Sequence, residues 1–340
     1  MITIDGSEGE GGGQVLRSAL SLSACTGQAF RIKNIRSGRK KPGLMRQHLT
    51  CVHAAAAVCG GKAVGGQLGS TELAFTPGEP RGGEFAFDVG TAGATTLVFQ
   101  TLLPILLAAD EPSTLRLCGG THTMSAPTLD FVTHAFLPPL RAVGARVDTS
   151  LVRRGFYPAA GGEWTATIAP LDAPAPLDLC ERGAIVSVTA EALRANLRSD
   201  ICEREIAVLR DALALSEDAV RHVTCDGPGP GNVVQVYAEH EAHTEVFSEL
   251  GRYGVKAETV ARRAADEARA YLSGDGTVSE HLADQLLLPL ALLAGGRFTA
   301  TVLSSHFHTN VRTIGTFLDV DVEFGAHAQS QMVQVGKGVV

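Results

Sequence analysis

Three stretches of the 340-residue chain follow one grammar, and nothing else in the sequence restricts the fold as much. QVLRSALSLSACTGQAFRIKNIRSGRKKPGLMRQHL, TLVFQTLLPILLAADEPSTLRLCGGTHTMSAPTLDFV and QLLLPLALLAGGRFTATVLSSHFHTNVRTIGTFL each read as an apolar helical run, a short strand, a loop of polar or small residues, and a second helix leading to a hairpin. With strand starts at Phe30, Leu115 and Phe298, the spacings are 85 and 183 residues, so about a hundred additional residues lie inside the third repeat. Repetition at this length implies stacked α/β units, each with a one-sided sheet buried against helices. The surplus falls between about Glu181 and Asp275. There VSVTAEA and VVQVYAEH read as strands, ICEREIAVLRDALAL and AETVARRAADEARAYL read as helices, and the run from Asp226 to Gly231 reads as a turn cluster. The expected class is α/β (α+β). It has a large domain of three repeated units, 1–180 and 276–340, each a sheet covered by two helices, and a smaller inserted α/β domain at 181–275.

A chain of this length can bury a large core, and 45% hydrophobic with 19% charged residues describes a globular protein rather than a disordered one. The opening MITIDGSEGEGGG has neither a basic nor an apolar leader pattern. The most apolar runs, Leu97 to Ala109 and Leu286 to Ala294, contain Gln or Pro and fall short of a membrane span. A cytoplasmic protein with no membrane partner is expected. Seven cysteines with no C-x-x-C pair fit reduced structural thiols better than a disulfide framework or a zinc site.

The net charge of −7 conceals an uneven distribution. Between Glu10 and Glu72 there is no Asp or Glu, while Arg17, Arg31, Lys33, Arg36, Arg39, Lys40, Lys41, Arg46 and Lys62 all lie there. Such a stripe can neutralise phosphates whatever the global charge, whereas a merely solvated face mixes both signs.

The loop Glu8-Gly9-Glu10-Gly11-Gly12-Gly13-Gln14 follows a strand-like ITID and opens a helix. It is no standard phosphate loop, because G-K-S/T is absent and Gln14 stands where G-x-G-x-x-G needs its last glycine. Glu8 and Glu10 in such a turn suit a hard divalent cation bridging phosphate oxygens. In IRSGRKKPGLMRQH, Pro42 is expected to start a helix, with Arg36 and Arg39 flanking its N-terminus, where phosphate is favoured, and with Gln47 and His48 one turn on. From the residues alone, His48 and His53 read as satisfied surface or core histidines in preference to phosphate ligands. In HLADQLLLPLALL, Asp284 and Gln285 interrupt an apolar helix beside His281, and Gln100 interrupts the matching helix of the second repeat. Each needs a partner, from a neighbouring helix or from a ligand.

In SSHFHTN, an extended backbone would turn His306 and His308 to one side, as a metal requires, but the remaining ligands are missing from the sequence. Thr309 or Asn310 could instead cap the following helix. The histidines would then lie at a positive helix end that disfavours imidazolium and keeps a ring nitrogen free to attack. Spacing alone does not choose between the two rings.

Six ordered motifs carry a resemblance: GEGGGQVLRSALSLS, IRSGRKKPGLMRQHL, GTAGATTLVFQTLLP, FYPAAGGE, HLADQLLLPLAL and SSHFHTN. Spread over nearly the whole chain, they resemble the RNA 3'-terminal phosphate cyclase family, in its histidine-containing catalytic branch. The resemblance implies three repeated α/β units with an inserted domain, and ATP-dependent conversion of an RNA 3'-terminal phosphate to a 2',3'-cyclic phosphodiester through a histidine-AMP intermediate. The family pattern His-x-x-Thr-Asn selects His306 as nucleophile, through Nε2, and leaves His308 a bystander. By the same resemblance Glu10 would place a divalent metal, Mg or Mn. Gln100, Pro127 and the run His281, Leu282, Ala283, Asp284, Gln285 would hold the adenylate. Arg17, Arg36, Arg39, Gln47 and His48 would grip phosphates of ATP or of the RNA end. A tyrosine is usual in the family where His281 stands, although an imidazole can also stack on adenine. The rival expectations are a non-catalytic ribosome-assembly scaffold of the same fold, against which the retained His306 argues, and an enolpyruvyl transferase, whose repeated α/β units share the grammar but not the motif order.

Overall fold

The computed structural model describes residues 1–9 and 12–338. Its first unit begins with the strand Ile2–Asp5, runs through the helix Gln14–Thr26, the strand Phe30–Lys33 and the helix Arg46–Cys59, and closes with the hairpin Lys62–Val64 and Leu73–Thr76. The two strands flanking the first helix pair in parallel, Ile2 opposite Phe30, and the second pairs antiparallel with the last, Phe30 opposite Phe75. Both helices end where the sequence supplies a glycine in the left-handed region, Gly27 at φ 70° and Gly60 at φ 61°, which stops the helix without a Cβ clash.

The second unit repeats this connectivity. Gly83–Asp88 pairs in parallel with Ser113–Gly119 across the helix Thr95–Leu107. A helical passage over 129–142 then leads to the antiparallel hairpin Val147–Arg153 and Gly162–Ile168. In the third unit, Leu177–Leu179 pairs in parallel with Gly296–Ala300, the helix Ser305–Gly315 follows, and Val322–His327 with Ser330–Val335 forms the hairpin. The same strand order in three four-stranded sheets is the physical content of the repeat. Alternation of buried and open positions in STLRLCG and GEWTATI makes the sheet one-sided, and the helices cover that side. One apolar core runs through all three units, with Phe30, Phe75, Phe99, Trp164, Phe298 and Phe307 wholly or almost wholly buried.

Between Leu179 and the helix Glu280–Pro289, the chain builds a fourth sheet of four strands. Its spatial order is Val220–Thr224, Ile185–Ala195, Gly231–His240 and Thr244–Leu250, with the helices Ser199–Leu213 and Ala257–Ser273 packed on a core of their own. The strands VRHVT and TEVFSEL carry charged residues that break the apolar alternation, which is why periodicity passes over them. This sheet touches the second unit through Thr128, whose hydroxyl meets Ser248 Oγ at 3.3 Å and accepts from Gln235 Nε2 at 3.3 Å.

Two local expectations need correction. The helix expected at Pro42 starts at Arg46. Gly43 turns left-handed at φ 80°, and backbone bonds from Leu44 to Ser70 and from Gly69 to Leu44 hold the chain extended until Met45. In SSHFHTN the cap is Ser304, whose Oγ accepts from Phe307 N at 3.0 Å. Both histidines therefore lie inside the first turn rather than on an extended segment.

Candidate active site

Three helix beginnings, two from the first unit and one from the third, meet at one place. Gly13, which precedes the first helix of the chain, lies against the His48 ring near the start of Arg46–Cys59, where a Cβ would collide with the imidazole. Gln14, the first residue of its helix, reaches His306 in the first turn of Ser305–Gly315. Gly9, at φ 65°, packs so tightly on Thr309 that any side chain would strike its hydroxyl. Gly9 and Gly13 thus serve close approach to two helices, and the helix starts that converge here give the site a positive potential.

A polar relay crosses this meeting point. Gln14 Oε1 lies 2.9 Å from His306 Nδ1, and Gln14 Nε2 donates to Asp284 Oδ1 at 2.6 Å. Because the amide directs its carbonyl end at the ring, Nδ1 is the donor and carries the proton. Nε2 is left with a lone pair. Asp284 Oδ2 accepts from Gln285 Nε2 at 3.3 Å, and Gln100 donates to Gln285 Oε1. Below the relay Ser18 Oγ donates to Asn310 Oδ1 at 2.8 Å, and Asn310 Nδ2 approaches the Asp284 carbonyl at 3.4 Å. The partners that Gln100 and Gln285 need inside apolar helices are therefore each other.

The electrostatics favour a neutral imidazole. His306 is exposed at the rim, yet desolvation by its surroundings lowers its pKa, and Arg17 and Arg39 lower it further while Asp284 opposes them. Burial pushes the Asp284 carboxyl up, against the hydrogen bond from Gln14 and the charges of His306 and Arg17. His48 is held at about 3 by burial and by Arg17 and Arg36, and its Nδ1 accepts from Met45 N at 3.3 Å, so its Nε2–H is the free donor. Burial lowers the Arg17 guanidinium from its ordinary value without bringing its charge into question at neutral pH.

The other sequence-selected residues are placed unequally. Arg36 donates to the carbonyls of Lys41 and Gly43, both at 2.8 Å, so it ties its own loop together. Gln47 Oε1 accepts from Ala94 N at 2.8 Å, at the start of the Thr95–Leu107 helix. Pro127 gives its carbonyl to Thr96 Oγ1 at 2.8 Å, one turn before Gln100 on that helix. Leu282 and Ala283 are wholly buried, and their side chains support the turn that carries Asp284. His281 is exposed, with Nε2 3.5 Å from Glu267 Oε1. His308 turns away from His306 and meets the Phe324 ring edge at 5.2 Å, which separates the two imidazoles as metal ligands. Glu10 lies outside the described residues, and among the described residues no group of three or more His, Cys, Asp or Glu side chains could hold a metal ion.

Sequence reasoning passed over Gln14, Ser18 and Asn310 as functional groups. Their only signal is that Gln14, Arg17 and Ser18 share one face of a helix at three- and four-residue spacing, which acquires meaning once the third unit packs on it. The seven cysteines are free thiols, and among the described residues no helix is long and apolar enough to cross a membrane.

Comparison with known proteins adds to this geometry. The model of the family described as RNA 3'-terminal phosphate cyclase matches residues 8–324. A protein of that name from Pseudomonas fluorescens is 49% identical over 324 residues, covering 95% of this chain and 94% of the relative. One from Koribacter versatilis is 46% identical over 324 residues, covering 95% and 91%. One from Salmonella agona is 46% identical over 335 residues, covering 98% and 96%.

Proposed function

The chain belongs to the RNA 3'-terminal phosphate cyclase family, and on that premise we propose that it converts an RNA 3'-terminal phosphate to a 2',3'-cyclic phosphodiester at the expense of ATP, with His306 as the transient carrier of AMP. The observation that carries this reading is the relay from His306 Nδ1 through Gln14 to Asp284, which fixes the ring and leaves Nε2 as the nucleophilic atom. Nε2 attacks the α-phosphorus of ATP, a P–N bond forms, and the bond to the β-phosphate oxygen breaks with release of pyrophosphate. An oxygen of the RNA 3'-phosphate then displaces the imidazole and takes the adenylyl group. The vicinal 2'-hydroxyl attacks the activated 3'-phosphorus, AMP departs, and the cyclic diester remains. The attacking hydroxyl is already beside its target, so the last step gains from proximity what AMP gains as a leaving group.

Asp284 stabilises the imidazolium-like charge that develops as the ring attacks phosphorus, and Gln14 transmits this without a full charge of its own. Arg17, Arg39 and the His48 Nε2–H are the donors assigned to phosphate oxygens, with Arg36 and Gln47 shaping the loops that present them. Gln100, Pro127 and the His281 to Gln285 turn are assigned to the adenosine. A magnesium or manganese ion travelling with the triphosphate would neutralise charge on the departing pyrophosphate, and Glu10 is the carboxylate assigned to it. The same reading divides the chain into a catalytic domain, 1–180 and 276–340, and an inserted domain, 181–275, in a cytoplasmic enzyme.

Incubation with α-labelled ATP and a divalent metal, followed by denaturing electrophoresis, tests the proposal. A label that survives denaturation, is lost in acid, persists in His308→Ala and is absent from His306→Ala is expected. A wild-type protein that takes no label with either metal would overturn the covalent route and favour the RNA-binding scaffold.

A further inference from the structure

Away from His306, the surface between the second unit and the fourth sheet holds a cavity of ≈ 770 Å³, a size typical of small-ligand sites. One wall is the 156–158 segment of the second unit, and the other is formed by the starts of the helices Ser199–Leu213 and Ala257–Ser273. At its floor is Glu205, 0% exposed. Its Oε2 accepts from Asn232 Nδ2 at 2.9 Å, but its Oε1 has no hydrogen-bond partner among the described residues. A buried carboxylate oxygen without a donor is costly, and burial raises the Glu205 pKa to about 7. The enclosed Oε1 beneath this cavity is therefore a polar atom without a partner among the described residues, which a polar group reaching the floor would satisfy.

Its walls and mouth say what kind of molecule brings that group. Tyr157 and Tyr253 stand exposed at the opening, and Phe156 is buried beside Gly231, so flat apolar faces surround the entry. Arg204 and Arg252 also line it, paired with Glu258 and Glu249, and beside them stands Lys256, whose following helix has no side-chain cap on its first N–H groups. Lys256 and the open amides that follow it attract phosphate. Aromatic faces, one buried acceptor and a phosphate-binding rim together match a single-stranded nucleotide. The position also fits. Met124 lines the cavity, and three residues later in the same loop Pro127 is held by the helix that carries Gln100.

We propose that this cavity receives a nucleobase of the RNA substrate upstream of its 3'-phosphate, with a base N–H on Glu205 Oε1, the ring against Tyr157 or Tyr253, and its phosphate toward Lys256. This rests on the RNA-cyclase reading, and the test separates the two. Full-length wild-type protein, Ile201→Trp, which fills the cavity, and Lys256→Ala at the mouth are compared for self-labelling with ATP and for KM and kcat on 3'-phosphorylated RNAs of two and ten nucleotides. Self-labelling at the wild-type level is expected in both variants. For the ten-nucleotide RNA, KM should rise on the order of tenfold in Ile201→Trp and a few-fold in Lys256→Ala, with kcat little changed, as the loss of one stacked base and one phosphate contact implies. The dinucleotide, too short to reach the cavity, should show no difference. Wild-type KM for the long RNA in both self-labelling variants overturns the cavity assignment while leaving the cyclase reading intact. A wild-type protein that neither labels nor cyclises removes the cyclase reading and this inference with it. Should Ile201→Trp fail to label through misfolding, Lys256→Ala decides alone.

Discussion

Asp284 and Glu205 are both buried carboxylates held by a side-chain amide, and they differ in what happens to the rest of each group. Asp284 has both oxygens engaged, one by Gln14 and one by Gln285, and the far end of the Gln14 amide passes the contact on to an exposed imidazole. Glu205 has one oxygen engaged, and the Asn232 amide that engages it spends its second contact on the Leu193 carbonyl at 3.0 Å. The first arrangement is complete before any substrate arrives, which is the preorganisation that chemistry needs. The second is left open, which suits recognition.

Gln14→Ala puts the greatest load on this contrast. It cuts the ring's link to Asp284, so the rate of self-labelling by ATP should fall by roughly a hundredfold, on the scale of lost positioning partners. Asn232→Ala, the equivalent cut at the other carboxylate, should leave that rate within about twofold of wild type in the same quench-flow measurement, since it lies off the reaction path. Equal losses in the two variants would dissolve the distinction.

Glu205→Gln sharpens it through pH. The folded pKa of about 7 lies above the ordinary glutamate value of 4.5, so the folded state keeps a proton that the unfolded chain surrenders between those values. Stability from this group is present below pH 4.5 and is lost as pH climbs to 7. The glutamine variant escapes that loss and should be more stable than wild type by about 2 kcal/mol at pH 8, but not at pH 4. Urea midpoints at the two pH values read the difference.

The smallest effect concerns how the helices of each region start. Ser304→Ala removes the hydroxyl that accepts from Phe307 N and should cost about 1 kcal/mol by urea unfolding. Arg198→Ala, at the uncapped start of Ser199–Leu213, removes only an exposed ion pair with Asp200 and should stay within about 0.5 kcal/mol.

The three-unit architecture was legible because a repeat multiplies its own signal: an apolar helix followed by FRIK, TLRLC or RFTA occurs three times. In the inserted region each pattern occurs once, and charges in VRHVT and TEVFSEL hide two strands. At the site, the two histidines of SSHFHTN could not be told apart by spacing, only by the family pattern, because spacing does not fix helix phase, and the phase was set by Ser304 rather than by Thr309 or Asn310. Gln14 was legible only as a missing glycine. Its partner lies 292 residues away, and no local pattern encodes a contact that packing of the first unit on the third creates.

Gln100 and Gln285 occupy the same place in two copies of one pattern, QTLLP and QLLLP, each four residues before a proline inside its helix. They meet as a residue meets its own image across a symmetric dimer. In a true dimer every substitution would appear on both sides at once. Because both copies share one polypeptide, the residue before each glutamine is independent: Asp284 in one copy is tied to the His306 relay, while Phe99 in the other packs edge-on against Trp164 at 5.1 Å. Covalent linkage thus lets a symmetric contact carry two different neighbours, a carboxylate bonded to Gln14 on one side and an aromatic anchor for the core on the other.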